Sequence, residues 1–491
     1  MQEKSSIYRS IAKGTAIFGG VQFFNILINL VRGKLVAVLL GPEGMGISSL
    51  LTVSTNTIQQ FSSLGLNLSA VKEIASAKDK ENPDYLSFII VVTRRLLCIT
   101  ASLGALFSIC FCSSLSYWTF GSDDYKWHFL FLSIVIFFMT LSNGELAILQ
   151  GMHEIKKLAY ASIIGSSVGL FVGIPLYYFY GYNGIVPAMI VLSLVTYVFY
   201  HYNARRVISL TVSFSWKQIS SLAQKMIVLG IVMMIATLLG TFTNYILNTF
   251  IGHYGSLGDV GLYQAANSIT NQYVGLVFTA MSLDFFPRLS AISSDNNKVR
   301  ELVNQQLEIV ILIIAPIAII LIITAPLLIK LLLTDDFISL VPVIRWMGLG
   351  IFFKAISFPM GYISFSKGDK KTFLWLEGIW GNILILSLNI LFYYNWGIIG
   401  IGISFVLSYL IINFTYIYVT NKLYSFRCNA TTFFLILLFL FLLIIAFTCS
   451  FIHNSLYAYT LMTIILLLTS CYSLYELNRR LDFLKLGKNR R

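Results

Sequence analysis

Gln22, Asn25, Asn29 and Arg32 are spaced three, four and three residues apart, so one helical face carries all four. Thr237, Thr241, Asn244 and Asn248 repeat a similar spacing further along the chain. A third stripe runs through Ser48, Thr52, Thr55, Gln59 and Ser62, with Asn56, Gln60 and Ser63 beside it. A fourth holds Gln264, Asn267, Ser268, Asn271 and Gln272. Amides and hydroxyls both donate and accept hydrogen bonds, which suits sugar hydroxyls. A guanidinium binds phosphate oxygens with a planar fork. Within apolar sequence the cations Arg32, Lys34, Arg345 and Lys354 outnumber the acids Glu145, Asp284 and Glu377, a balance that suits an anionic ligand. Glu145 and Asp284 are the candidates for coupling to a proton or sodium gradient. No nucleophile–base pair and no glycine-rich phosphate loop with a lysine is found, so the chemistry is binding rather than catalysis.

The elements that must position these groups are membrane helices. Of 491 residues, 57% are hydrophobic and 11% charged, with mean hydropathy +0.80. Soluble domains carry about 25% charged residues. Hydropathy gives about fourteen spans, near 12–38, 47–68, 88–112, 128–150, 158–180, 184–202, 225–250, 262–286, 309–333, 338–363, 374–394, 397–419, 432–452 and 457–475. The first follows a short basic start (Lys4, Arg9, Lys13), is too long for a signal peptide and reads as a retained helix. Of the 34 Lys and Arg residues, 28 fall in alternate segments that share one side with both termini. That asymmetry assigns both termini to the cytoplasm and accounts for the net charge of +13 without nucleic acid. Arg94 and Arg95, near the inner face, read as orientation signals. The six cysteines have no metal-ligand spacing and are expected as small buried core residues. The five histidines are scattered singly, and no cofactor or metal is expected.

The two halves of the chain echo each other. GMGISSLLTVSTNTIQQ from Gly44 corresponds to DVGLYQAANSITNQYVG from Asp259, with Gly46 on Gly261 at an offset of 215. Lys156-Lys157, an apolar helix and YYFYGYNGIV correspond to Lys370-Lys371, an apolar helix and LFYYNWGIIG. The expected fold is an all-α polytopic membrane protein with two six-helix lobes, 1–215 and 216–425, related by a parallel repeat. Residues 426–491 add a helix pair and a basic tail. Parallel repeats of this kind bind substrate between the bundles. The four polar stripes lie on helices one, two, seven and eight, which correspond by repeat, and are expected to line a wet cavity. Ser, Thr and Asn also serve to glue helices together, and for any single residue both readings stand. The candidate substrate-binding residues are Arg32, Asn25, Asn29, Asn56, Gln59, Asn244, Asn248, Asn267, Asn271, Arg345 and Lys354. An Arg or Lys at the centre of a membrane helix costs ~2.5–3.5 kcal/mol. Arg32 either holds a ligand or snorkels to the helix end.

The opening KGTAIFGGVQFFNILINLVRGKLVAVLLGPEGMGISSL and the later FIGHYGSLGDVGLYQ resemble the bacterial polysaccharide transporter family. These are Wzx-type flippases of O-antigen and related repeat units, within the multidrug/oligosaccharidyl-lipid/polysaccharide (MOP) superfamily. The resemblance implies a V-shaped central cavity, alternating access and an undecaprenyl-diphosphate-linked oligosaccharide as cargo, in the bacterial cytoplasmic membrane. It implies membrane lipids and other polysaccharide assembly proteins as further partners. Cationic cavity residues are typical of these flippases, and that role fits Arg32. A MATE-type exporter is the rival within the superfamily. Such exporters place an acid in the first span, and none occurs between Ile11 and Leu40. A membrane ligase or polymerase would need a sizeable outer loop, whereas the longest here is about 113–127.

Overall fold

The computed structural model describes the backbone of residues 2–79, 83–206 and 216–481. Side chains at 2–19, 21–23, 216–221, 271–274, 282–284 and a few single positions are not described. Within these residues the chain is helical, with no strand. The reason is solvent: lipid cannot satisfy backbone N–H and C=O groups, and a helix satisfies them within its own segment. In the first half lie α1 (Gln2–Ser62), α2 (Leu66–Asp79), α3 (Pro83–Cys110), α4 (Cys112–Phe120), α5 (Lys126–Gly151), α6 (Ile155–Tyr180), α7 (Ile185–Arg205) and α8 (Trp216–Tyr254). After α9 (Leu257–Ala291) come α10 (Asn296–Leu332), α11 (Val341–Ser366), the single turn α12 (Lys370–Phe373) and a π-helical segment, Leu374–Trp380. The chain continues through α13 (Gly381–Tyr424), α14 (Ala430–Cys449) and α15 (Ser455–Leu481).

Among the described residues nine helical runs are long and apolar enough to cross a bilayer, and Leu222–Ile235 with Thr237–Tyr254 forms a further pair bent by 49°. Three runs contain a break. Phe24–Ser62 breaks at Gly41, Lys156–Arg205 at the 3-10 turn Gly181–Gly184, and Lys370–Tyr424 at Gly397. A straight 50-residue helix would be ~75 Å long, more than twice the hydrocarbon thickness. Gly41 (φ 64°) and Gly397 (φ 57°) take a left-handed conformation that a residue with a Cβ resists. The breaks fall in the GPEG, GYNG and NWG turns. Hydropathy thus separates fourteen spans where the structure shows nine longer runs among the described residues, because several turns are absorbed into continuous helix.

The chain packs as two compact units, Met1–Gly261 and Leu262–Arg491. In the first, α5 packs against α3 and α7, α6 against α7 and α1, and α8 against α1 and α2. Its apolar interior falls in two clusters, one around Leu51, Phe129, Ile136 and Ile185, the other around Leu66, Ile89, Ile148 and Met226. In the second unit α11 packs between α10 and α13, while α14 and α15 pack on α10. Glu308 of α10 ties that pair down: it accepts hydrogen bonds from Thr432 (2.9 Å) and Arg480 Nε (2.9 Å).

Two expectations need correction. The segment 113–127 is mostly the helix α4 rather than an open loop, with Ser116 accepting from the Tyr125 N–H at 3.2 Å across the turn that follows. Among the cysteines only Cys449 is buried, whereas Cys98, Cys110 and Cys471 are exposed. A thiol is weakly polar, so on a membrane helix an outward position exposes it to lipid at little cost.

Candidate functional site

A cavity of about 510 Å³ opens in the first unit between the second half of α1 and α8, lined by Val53, Asn56, Gln59, Gln60, Thr237, Gly240, Thr241 and Asn244. The lining carries amides and hydroxyls and no formal charge. Gln60 spans the two walls: its Nε2 donates to Thr237 Oγ1 (2.5 Å), and its Oε1 accepts from Thr241 Oγ1 (2.5 Å). Asn56, Gln59 and Asn244 therefore line one cavity. The polar stripes that run through Thr55 and Gln59 and through Thr241 and Asn244 face each other because α1 and α8 are packed neighbours.

Other residues of the same stripes act as glue. Asn248 is 1% exposed, accepts from Ser49 Oγ (3.3 Å) and donates to the Asn244 carbonyl (2.7 Å). Asn25 donates to Ser162 of α6 (3.0 Å), and its buried Oδ1 has no hydrogen-bond partner. Asn29 is exposed. Arg32 is half-buried, with Nη2 donating to Tyr177 Oη at 3.5 Å. Glu43 instead accepts from Tyr182 Oη at 3.5 Å.

Beyond the cavity the helices meet backbone to backbone. A Cβ on Gly46 would lie 1.8 Å from the Leu257 carbonyl oxygen, and a Cβ on Gly261 would lie 1.9 Å from the Pro42 carbonyl oxygen. Gly46 and Gly261 are 215 residues apart, and so are Pro42 and Leu257. The contact is reciprocal under the same offset that aligns the two halves of the sequence.

A family model described as polysaccharide biosynthesis protein matches residues 35–342, more than half of the chain. The chain belongs to this family. This family member is 22% identical over 375 residues to the lipid III flippase of Escherichia coli (strain K12), covering 75% of this chain and 88% of that protein. The lipid III flippase of Shigella flexneri matches to the same extent. The fold is that of the lipid II flippase MurJ in an inward closed conformation (TM-score 0.75, 16% identity, 95% of this chain and 100% of that one). It is shared with an inward-facing multidrug resistance MATE family transporter of the MOP superfamily (TM-score 0.70, 17% identity, 82% and 94%). The polytopic helical fold is thus shared with these solved structures, and the relatives named are flippases and transporters.

The remaining described candidates do not line that cavity. Asn267 is a half-buried residue of α9, while the side chains of Asn271 and Asp284 lie outside the described residues. Arg345 turns toward the end of α14, donating from Nη1 to the Ser450 carbonyl at 3.0 Å. Lys354 lines a separate cavity of the second unit together with Glu377. Among the described residues no group of three or more His, Cys, Asp or Glu side chains could hold a metal ion.

One cluster was not legible in the sequence. Glu145 of α5 is 4% exposed and takes a bidentate contact from Arg94 of α3, Nε at 2.8 Å and Nη2 at 2.7 Å. His201 Nδ1 of α7 lies 2.8 Å from the same Oε1, and the Tyr197 ring stacks on His201 with centroids 5.4 Å apart. Arg94 is therefore an ion-pair partner as well as a basic residue of the inner segment, and His201 is not isolated. The available signal was Glu145 itself, since a carboxylate within a membrane helix needs a partner.

Proposed function

We propose that the chain is a flippase that carries undecaprenyl-diphosphate-linked oligosaccharide repeat units, such as those of O-antigen, from the inner to the outer leaflet of the bacterial cytoplasmic membrane. The observation that carries this reading is the neutral polar cavity walled by Asn56, Gln59, Gln60, Thr237, Thr241 and Asn244 in a member of a polysaccharide biosynthesis family. Amides and hydroxyls match a hydroxyl-rich head group, while the apolar helices leave its lipid tail in hydrocarbon. Arg32 supplies the fork for the diphosphate. Alternating access between lobes 1–215 and 216–425, with 426–491 added, belongs to the same proposal. The reciprocal approach of Gly46 and Gly261 supports the offset on which it rests. Both termini face the cytoplasm, a placement that labelling of Gly368→Cys from outside intact cells would overturn.

An exporter of the MATE type shares the fold but lacks support here, since α1 carries no acid between Ile11 and Leu40. The test is deletion in the native host. The expected result is a lipid-linked glycan that accumulates on the inner leaflet and is cleared by the wild-type gene. Complementation by Arg32→Gln at normal membrane abundance should restore little polymer export. No accumulation on deletion refutes the flippase reading, and full export by Arg32→Gln refutes the role of Arg32.

A further inference from the structure

Each unit contains a long helical hairpin that crosses, turns and crosses back, so that its two ends share one membrane face: Lys156–Arg205 in the first unit and Lys370–Tyr424 in the second. Gly169 lies against Leu192 and Gly165 against Thr196, and this antiparallel register carried on brings Lys156 level with Arg205. In the second unit Ser404 donates to Asn389 (2.7 Å), Tyr416 to Glu377 (2.6 Å) and Tyr424 to Asp369 (2.7 Å), a register that brings Lys371 level with Lys422. Both open ends therefore gather cations: Lys156, Lys157, Arg205 and Arg206 in one unit, and Lys370, Lys371 and Lys422 in the other. All are exposed except Lys157, which is half-buried and lies 3.6 Å from Glu154. Each end also sets a cation over a tyrosine ring one turn deeper. Arg206 Cζ is 4.2 Å from the centroid of Tyr202, and Lys422 Nζ is 5.9 Å from that of Tyr418. Both rings are exposed, and they continue exposed apolar stripes formed by Leu194 and Val198 on α7 and by Phe414 on α13. Tyr202 and Tyr418 are 216 residues apart, as are Arg206 and Lys422, and the lysine pairs are 214 apart. The layout thus recurs in both halves of the chain.

A topology signal depends on the number of basic residues alone. It requires neither a ring beneath the cation nor the same layout in two units. Neighbouring acids do not cancel the charge: Glu154 sits beside one lysine, and Asp369 is turned to Thr372 and Tyr424. Arg206 donates one of its five N–H groups to the Tyr202 hydroxyl, which leaves the others for a ligand. Such a ligand carries negative charge where the helices leave the hydrocarbon and apolar chains that follow the stripe beneath. A soluble anion meets the first condition only, and a zwitterionic phospholipid neutralises its phosphate with its own cation. An anionic phospholipid meets both, and basic pockets between membrane helices take head groups of this kind. We propose that the open end of each hairpin is a binding site for an anionic phospholipid, with the cations on its phosphate and its acyl chains along the exposed stripe. The inference does not rest on the flippase reading.

The test uses the full chain in detergent and native mass spectrometry, titrated with phosphatidylglycerol, with phosphatidylcholine of the same acyl chains, and with inorganic phosphate. Phosphatidylglycerol should bind at least tenfold more tightly than phosphatidylcholine, and inorganic phosphate at equal concentration should not displace it. One basic residue near an anionic surface contributes roughly a fivefold gain. The triple variants Lys156→Gln/Arg205→Gln/Arg206→Gln and Lys370→Gln/Lys371→Gln/Lys422→Gln should therefore each remove one tight site. Tyr202→Leu and Tyr418→Leu should each weaken one site at least threefold. Lys298→Gln, which removes an exposed cation outside both clusters, should change nothing. A second measurement needs no variant: phosphatidylglycerol with a photoreactive head group should cross-link to the wild-type chain within 156–160, 202–206, 370–371 or 418–422, read by mass spectrometry. The proposal is overturned by equal binding of the two lipids or by displacement with inorganic phosphate. It is equally overturned by triple or tyrosine variants that bind as the wild type does, the result expected of a topology signal, or by cross-links confined to other segments.

Discussion

Replacing Gly46 by alanine puts a methyl group 1.8 Å from the Leu257 carbonyl oxygen and 2.8 Å from its carbon. Both atoms are backbone, so no change of rotamer relieves the clash. Real Cβ atoms essentially never approach within 3.0 Å, so the two segments must part by at least 3.0 − 1.8 = 1.2 Å. Overpacking of this kind costs about 1–3 kcal/mol. At roughly 2–4 °C per kcal/mol for a unit of this size, the melting temperature should fall by several degrees. Gly261→Ala meets the Pro42 carbonyl at 1.9 Å and should cost as much. The double variant should cost less than the sum, because helices already parted by one methyl group admit the other. Gly33→Ala is the control, since nothing lies within 4 Å of its Cβ. The assay is a thermal melt of the purified chain in one detergent at one scan rate. If Gly46→Ala and Gly261→Ala melt with the control, the close approach does not exist. A large loss in one and none in the other would refute its reciprocity, and with it the support it lends to the 215-residue offset.

Two further outcomes follow from ion pairs and caps. Arg94→Gln leaves the buried Glu145 with His201 alone and should cost about 3–5 kcal/mol, much of which Glu145→Gln on the same chain should restore. A double variant no more stable than Arg94→Gln in a thermal melt would show that the pair is not coupled. Asp369 accepts from Thr372 Oγ1 (2.7 Å), Tyr424 Oη (2.7 Å) and the Thr372 N–H (3.1 Å), which hold its carboxyl below the ordinary value. A depressed value means that its stabilisation is complete above the unfolded value near ~4 and is lost as pH falls through the folded one. Wild type should therefore lose more melting temperature than Asp369→Asn as the buffer is taken below pH ~4, and parallel losses would refute the effect.

The sequence made the membrane class, the glycine turns and part of the cavity legible, for reasons that concern solvent. A polar residue in a membrane helix is costly unless it meets water, a ligand or another helix. Spacings of three and four therefore picked out Asn56, Gln59 and Asn244, which line one cavity in the structure. The same spacing could not separate a cavity from a helix seam, and so it grouped Asn25 and Asn248, which bond to neighbouring helices, with the residues that line the space. Arg345 donates to the Ser450 carbonyl, and a cation near a helix end finds such carbonyls without any sequence mark. The ion pair of Arg94 with Glu145 joins residues 51 apart on different helices, and periodicity along one helix does not reveal which helix abuts it. The cysteines were misjudged because lipid and protein interior have similar polarity, so an apolar residue carries no information about which way it faces.

On the flippase reading, the chemistry of the first cavity bears on how the cargo is released. Hydrogen bonds between neutral groups contribute about 0.5–1.5 kcal/mol each, and those to charged groups about 1.5–3 kcal/mol. A lining of six amide and hydroxyl side chains can hold a head group in several registers and release it by exchanging partners one at a time. A lining of cations would bind a diphosphate more tightly and release it more slowly. On the flippase reading, the single guanidinium of Arg32 sits against Tyr177, outside the neutral lining, which separates attraction of the anion from passage of the sugars. Gln60 gives one N–H and one lone pair to Thr237 and Thr241 and keeps a second of each for a ligand. On the flippase reading, a head group can therefore bond to Gln60 while its two internal hydrogen bonds persist, and these hold the amide in place between one cargo and the next.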